Sequence, residues 1–333
     1  MRLPRFEFLK PVSLEESLGL LEKSGGKVKI LAGGTDLLVN MKYGVLHPET
    51  VVSIKAIPEL CSVTAGMNGN TEIGASVTLT DLAGNSLIAG KFPAFHSAVR
   101  SVASKHIRNM ASLGGNICLD TRCWYYNQSK LWRDARELCH RTGGKVCHAI
   151  KGSTRCHAIN SSDTAPALIA LDAKIAVMKK GQKRLIPAKE FYRDDGIRHT
   201  ILEPGEMVTS IHLPEGNGNS QSTFIKVSMR KGIDFATGSI AAHVMVNGKG
   251  VTGVRLVVGS ISSAPVLLDK SSQVITESGL TEKSIEKAAE TARSELGTLT
   301  NLFTSAGYKR HLAEVLVRRA LSELKEKIGR ARK

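Results

Sequence analysis

The chain has 333 residues, 42% of them hydrophobic and 23% charged, the balance of a soluble globular protein long enough for two or three domains. It contains no apolar run of about eighteen residues, which speaks against a membrane-spanning helix. Its start, Met-Arg-Leu-Pro-Arg-Phe-Glu-Phe, lacks a secretory apolar stretch, so a cytoplasmic location with reduced thiols is expected. The net charge of +16 leaves nucleic acid, an acidic protein or a polyanionic small molecule open as partners.

Ser13, Glu15 and Glu16 ahead of Leu18, Leu20 and Leu21 predict a capped amphipathic helix that stops at Gly25 and Gly26. An apolar strand over 28–32 then breaks into Gly33-Gly34-Thr35-Asp36, a helix is expected from Leu37, and 51–54 reads as a second strand. From Val63 shorter strands surround Gly-Asn turns, Thr80 is the expected cap of a helix from Asp81, and 92–104 reads as one helix. An apolar block at 165–177 follows a cysteine-rich stretch, so residues 118–158 read as an insertion. Residues 215–222, rich in Gly, Asn and Ser, form the expected linker. Strands over 224–229, 240–246 and 251–258 and helices over 284–295 and 308–327 predict a C-terminal α+β domain, and the run from Lys325 to the chain end is expected as a solvated helix end and tail.

Two glycine pairs stand out, Gly33-Gly34 and Gly114-Gly115. A pair of glycines lets a ligand approach the backbone, and successive amides at such a turn make an anion-binding concavity. Neither pair matches a dinucleotide fingerprint or a P-loop, so each reads equally as an ordinary tight turn. Five of the six cysteines fall between residues 118 and 156, spaced C-x4-C-x15-C-x7-C-x8-C. Four thiolates suit an iron–sulfur cluster or a structural zinc, and His140, His148 and His157, each directly after a cysteine, keep a mixed Cys/His zinc site open. Arg100 to Arg155 carries eleven Lys or Arg against three acids, a positive field in the same region.

Ala-Gly-Gly-Thr-Asp-Leu after a strand, Ala-Ser-Leu-Gly-Gly-Asn-Ile further on, and Ser162-Asp163-x-x-Pro166-Ala-Leu resemble the FAD-binding subunits of the molybdenum hydroxylase family, and Glu203-Pro-Gly-Glu206 and Phe224-Ile-Lys-Val-Ser-Met-Arg230 extend the similarity over nearly the whole chain. The resemblance implies an α+β protein. A two-subdomain FAD-binding fold of the PCMH type (1–55 and 56–215, the second carrying the insertion) would be followed by a C-terminal domain of antiparallel strands and helices at 222–330. It places the FAD pyrophosphate on Leu31, Ala32, Gly33, Gly34, Thr35 and Asp36, with Ser112, Leu113, Gly114, Gly115 and Asn116 as a second loop near the cofactor. Asp163 matches an acid near the ribityl or nucleotide part, and Lys226 a lysine near the flavin. Read on their own, Asp163 is a helix cap and Lys226 a solvated strand lysine. His199 stands where relatives have lysine, which puts a flavin contact there in doubt.

The segment "CLDTRCWYYNQS…CHRTGG…CH…RCHA" is similar to the β subunit of the 4-hydroxybenzoyl-CoA reductases, a branch in which this insertion binds a [4Fe–4S] cluster. That similarity assigns Cys123, Cys139, Cys147 and Cys156 as ligands and leaves Cys118 to the second glycine loop. Trp124, Tyr125, Tyr126 and Trp132 would cover the cluster or pack as core or interface aromatics. The implied role is electron relay: the complex would reductively dehydroxylate 4-hydroxybenzoyl-CoA, with a molybdopterin-binding large subunit, a [2Fe–2S] small subunit, an acidic ferredoxin as donor, and a dimer-of-heterotrimers assembly. Substrate chemistry would lie in the large subunit, so no catalytic residue is expected in this chain. A xanthine-, aldehyde- or carbon monoxide-oxidising complex is the alternative. A basic, zinc-stabilised nucleic-acid-binding module is the distant one, disfavoured by few aromatics and no recognition motif.

Overall fold

The computed structural model describes residues 2–23, 27–66, 69–215, 219–230, 232–248, 250–297 and 304–331. The expected helix stop at Gly25 and Gly26, the turn at 67–68, linker residues 216–218 and the last two residues of the basic tail lie outside the described residues.

Three short strands, β1 (Glu7–Leu9), β2 (Val28–Leu31) and β3 (Thr50–Ser53), form a parallel sheet in the order β1-β3-β2. Parallel strands of one sheet need crossover connections, and helix Leu14–Lys23 lies on the one from β1 to β2, which flank β3. Its Leu18 and Leu21, three apart and therefore on one face, are buried with Ile54, Ile57, Leu60 and Met207.

A five-stranded antiparallel sheet follows, ordered β4-β5-β8-β6-β7, from β4 (Val63–Ala65), β5 (Thr71–Gly74), β6 (Lys174–Lys179), β7 (Gln182–Pro187) and β8 (Met207–Leu213). The third sheet is antiparallel, β12-β11-β10-β9, from β9 (Ser220–Val227), β10 (Gly238–Asn247), β11 (Gly250–Gly259) and β12 (Val266–Leu267). Helices Asp269–Ser278, Glu282–Glu295 and Ala306–Ala331 bury Ile275, Ile285, Leu316 and Leu321 in the core it shares. Between the second and third sheets lies helix Thr164–Ala170, every residue of which is buried. It packs on β10, on β11 and on helix Pro93–Ser101, so the turn that precedes it sits at the centre of the molecule.

The structure corrects the sequence reading in several places. The helix near residue 80 spans Leu79–Gly84 and is capped by Thr78, whose hydroxyl accepts the Asp81 amide at 3.1 Å, because a bridge to Ser112 holds Thr78 extended. Thr80 instead donates to Asn109 at 2.6 Å. The helix expected over 92–104 spans Pro93–Ser101, and Ala103, in the left-handed region at φ 42, separates it from a short second helix, Lys105–Arg108. β7 escaped notice because residues 182–185 are exposed and mostly polar, the pattern of a sheet edge rather than of a buried strand.

Candidate flavin and metal site

β2 ends at Leu31, and Ala32 to Asp36 turn the chain into helix Leu37–Lys42. The turn requires glycine twice. Gly34 has φ +72, and a Cβ on Gly33 would lie 1.6 Å from the carbonyl oxygen of Met110. Among the described residues the amides of Gly33, Gly34, Thr35 and Asp36 find no acceptor in the protein. Unpaired successive amides suit a diphosphate, so the loop passes a first test of fit. Gly33 therefore lies against the chain just ahead of Ser112, which brings the two glycine loops side by side.

The second loop opens helix Leu113–Ile117, capped by the Ser112 hydroxyl, which accepts the Gly115 amide at 3.1 Å. Gly114 donates to the Ala75 carbonyl at 2.8 Å, and a Cβ there would meet that same oxygen at 2.8 Å. Asn116 turns away from the first loop: its carbonyl oxygen accepts from the hydroxyls of Ser162 at 2.9 Å and Thr164 at 2.6 Å, holding the turn around Asp163.

Asp163 and Lys226 form a buried ion pair of 2.6 Å, and Lys226 also donates to the Ser101 carbonyl at 3.0 Å. Asp163 is no helix cap, and Lys226 is not solvated. Burial pushes the Asp163 carboxyl up to about 6 against the pull of Lys226, and its second oxygen has no partner among the described residues. That orphaned acceptor, inside the molecule and beside the second loop, fits a polar group of a bound cofactor. His199 is mostly buried with neither ring nitrogen hydrogen-bonded, 4.0 Å from Asp120, and burial lowers its pKa.

Asp36 does not cap its helix. It pairs with Arg122, accepts from Asn40 at 3.0 Å and accepts the Asp120 amide at 3.2 Å. Asn127 donates to Asn40 at 3.3 Å and accepts the Cys123 amide at 2.9 Å. A continuous polar chain thus runs from the first glycine loop to the backbone of Cys123, the first candidate ligand. The insertion is closed at its neck by Arg122 and Ile159, which exchange both backbone hydrogen bonds at 2.8 Å.

Cys123, Cys139, Cys147 and Cys156 line one cavity, with Tyr125, Tyr126, Arg141 and the three histidines in its wall. Cys118 does not. It ends helix Leu113–Ile117, packs on the second-sheet core, and burial pushes its thiol up to about 12. Burial likewise pushes Cys123 up to about 11 and raises Cys156, which Arg141 pulls back down. Thiols so placed stay protonated unless a nearby positive charge pays for the thiolates. Among the described residues no three His, Cys, Asp or Glu side chains converge on a single metal-ion position. A cluster of several irons is held by thiolates spread around it rather than meeting at one point, so four thiols lining one cavity without a common meeting point suit a cluster better than one zinc. Each histidine is hydrogen-bonded at Nε2, His140 to the Ser153 carbonyl at 2.9 Å, His148 to that of Glu137 at 2.8 Å and His157 to the Ser153 hydroxyl at 2.7 Å, which leaves each Nδ1 outside those bonds.

Gly143, at φ 90, and Gly144, where a Cβ would lie 1.7 Å from the Leu138 carbonyl oxygen, shape the turn after Cys139. Of the four aromatics, Tyr125 and Tyr126 line the cavity, Trp132 stands behind Tyr125 with ring centroids 6.3 Å apart, and Trp124 is half exposed outside it. Sequence reasoning missed Asn40, Asp120, Arg122, Asn127 and Arg141. The two arginines entered only as part of a positive field, because a paired internal arginine and a solvated one look alike in sequence. Arg155, too, is paired, with Asp194 at 2.6 Å at the surface, so part of that field is offset by a neighbouring carboxylate.

Residues 4–216 match the family described as the FAD binding domain in molybdopterin dehydrogenase, and residues 223–324 the CO dehydrogenase flavoprotein C-terminal domain. The chain is 24% identical over 315 residues to the xanthine dehydrogenase FAD-binding subunit of Escherichia coli O157:H7, covering 94% of each. It is 26% identical over 321 residues to the carbon monoxide dehydrogenase medium chain of Hydrogenophaga pseudoflava, covering 96% of each. Its fold is that of the carbon monoxide dehydrogenase structure from Hydrogenophaga pseudoflava, with TM-score 0.82 at 24% identity over 98% of this chain and 99% of that one. No helix among the described residues is long and apolar enough to cross a membrane. Two family matches that together span nearly all of the chain make it a FAD-binding medium subunit of the molybdenum hydroxylase family.

Proposed function

We propose that this subunit relays electrons between FAD, held by the two glycine loops with Asp163 and Lys226 nearby, and a [4Fe–4S] cluster held by Cys123, Cys139, Cys147 and Cys156 within the insertion 118–158. The observation that carries the proposal is the convergence of those four thiols, and not Cys118, on one cavity tied by hydrogen bonds to the flavin loop. When bound, FAD supplies exchange between one- and two-electron carriers, and an iron–sulfur cluster supplies single-electron transfer. The residues of this chain hold the diphosphate on backbone amides, keep water from the thiols with Tyr125 and Tyr126, and fix the distance between the two sites through Asp36, Asn40 and Asn127. The remaining centres would belong to partners, a molybdopterin-binding large subunit and a [2Fe–2S] small subunit, in a dimer of heterotrimers. Purified protein is expected to carry flavin, with about four irons and four acid-labile sulfides per chain. Stoichiometric zinc without sulfide would sink the cluster assignment, and absence of flavin would sink the FAD site.

For the reaction of the whole complex, the relatives favour oxidation: their names are those of xanthine, glyceraldehyde and carbon monoxide dehydrogenases. One observation favours a second reading, reductive dehydroxylation of 4-hydroxybenzoyl-CoA with electrons from an acidic ferredoxin: the four-thiol insertion itself, with exposed Lys145 and Lys151 beside Cys147 on a basic surface pocket. Assays of the assembled complex separate the two. Oxidation of xanthine, an aldehyde or carbon monoxide by a dye supports the first, and conversion of 4-hydroxybenzoyl-CoA with a reduced low-potential donor supports the second.

A further inference from the structure

Arg141 lies two residues beyond Cys139 and reaches into the wall of the cavity lined by the four thiols, with only 8% of its side chain exposed. It is held on every side. One nitrogen pairs with Asp120, another donates to the Thr121 carbonyl at 3.0 Å and hydroxyl at 2.6 Å, and the guanidinium carbon stands 4.3 Å over the ring of Tyr126. Asp120 does not line the cavity. Arg141 therefore belongs to the cavity wall, while its counter-carboxylate stands outside that wall.

Four thiolates around an iron–sulfide core leave that site net negative, and each added electron makes it more so. A cation fixed in the wall, where neither water nor salt screens it well, stabilises the more negative state more strongly and so raises the reduction potential. The carboxylate behind the cation subtracts from the effect without cancelling it, because it stands farther off. Resting on the cluster reading above, we infer that Arg141 is the charge that sets the reduction potential of the cluster and that Asp120 trims it.

The test is an EPR-monitored titration with dithionite on the assembled complex carrying Arg141→Gln, Arg141→Lys or Asp120→Asn. Removing the charge in Arg141→Gln is expected to make the cluster potential more negative. Arg141→Lys, which keeps the charge, is expected to return it most of the way to wild type, and Asp120→Asn is expected to move it in the positive direction. The flavin potential, measured in the same samples, is expected to hold. A purely structural role predicts iron loss or shifts of the same sign in all three variants. Equal potentials in wild type and Arg141→Gln at full iron content, or a negative shift in Asp120→Asn, would overturn the inference. Where Arg141→Gln loses iron, Arg141→Lys and Asp120→Asn still decide by sign. Wild-type protein without iron and sulfide overturns the cluster reading, and this inference with it.

Discussion

The glycine loops and the cysteine insertion sit side by side but are built by opposite means. The loops are backbone packed on backbone: Gly33 against Met110 and Gly114 against Ala75, with strands and buried helices behind them. The insertion has one short α-helix, Lys130–Asp134, one 3-10 turn, His140–Thr142, a bridge between Cys139 and Val146 and the neck bridge, and it is held by side-chain hydrogen bonds and paired arginines. A shape made by contact distances tolerates no added atom. A shape made by polar pairs gives way one pair at a time, and its remaining stability would come from whatever the thiols bind.

This contrast orders the expected effects. Gly33→Ala forces a Cβ into the Met110 carbonyl, where neither backbone can yield cheaply; a loss of about 3 kcal/mol in urea unfolding and of bound flavin is expected. A variant that unfolds like wild type and keeps its flavin would show that the loops are not rigidly packed. Lys226→Met leaves Asp163 buried without its cation, with an expected loss of about 3 kcal/mol at pH 8 by the same measurement. Cys123→Ser is expected to abolish most of the bound iron while the flavin stays. Iron content unchanged in that variant would remove Cys123 from the ligand set.

A smaller effect follows from the Asp163 carboxyl. Its folded pKa, raised to about 6, exceeds the ordinary carboxylate value of about 4, so the folded state binds the proton more tightly than the unfolded chain does. Its contribution to stability is present below pH 4 and is lost as pH rises through 6. Subtracting the unfolding curve of Asp163→Asn from that of wild type at each pH is expected to reveal this fall between those limits, and a flat difference would disprove it. Smallest of all, Cys118→Ser is expected to keep full iron content, with only the cost of a hydroxyl in an apolar wall; loss of iron there would place Cys118 among the ligands and reopen the comparison.

Much of this was legible in the chain before folding. The first helix, the strands over 28–32 and 51–54, the strands after the linker and the family motifs come from local patterns, since a strand that breaks into two glycines or a capped apolar period depends on neighbours in sequence. The helix end ahead of the left-handed Ala103 and the cap at Thr78 were not legible, and the extended threonine is imposed by a distant segment, Ser112. The resemblance singled out four cysteines, while spacing alone left zinc and a cluster both open.

Only the tertiary structure decided which side chains share a neighbourhood. It drew Cys123, Cys139, Cys147 and Cys156 around one cavity, left Cys118 in the core, and turned Asp163 and Lys226 from a cap and a surface lysine into a buried pair. It also took Arg122 and Arg141 out of the surface charge and paired them with Asp36 and Asp120. The reason is physical: sequence composition counts charges and donors, but their energy is set by burial and by partners many residues away, which exist only once the chain has closed on itself.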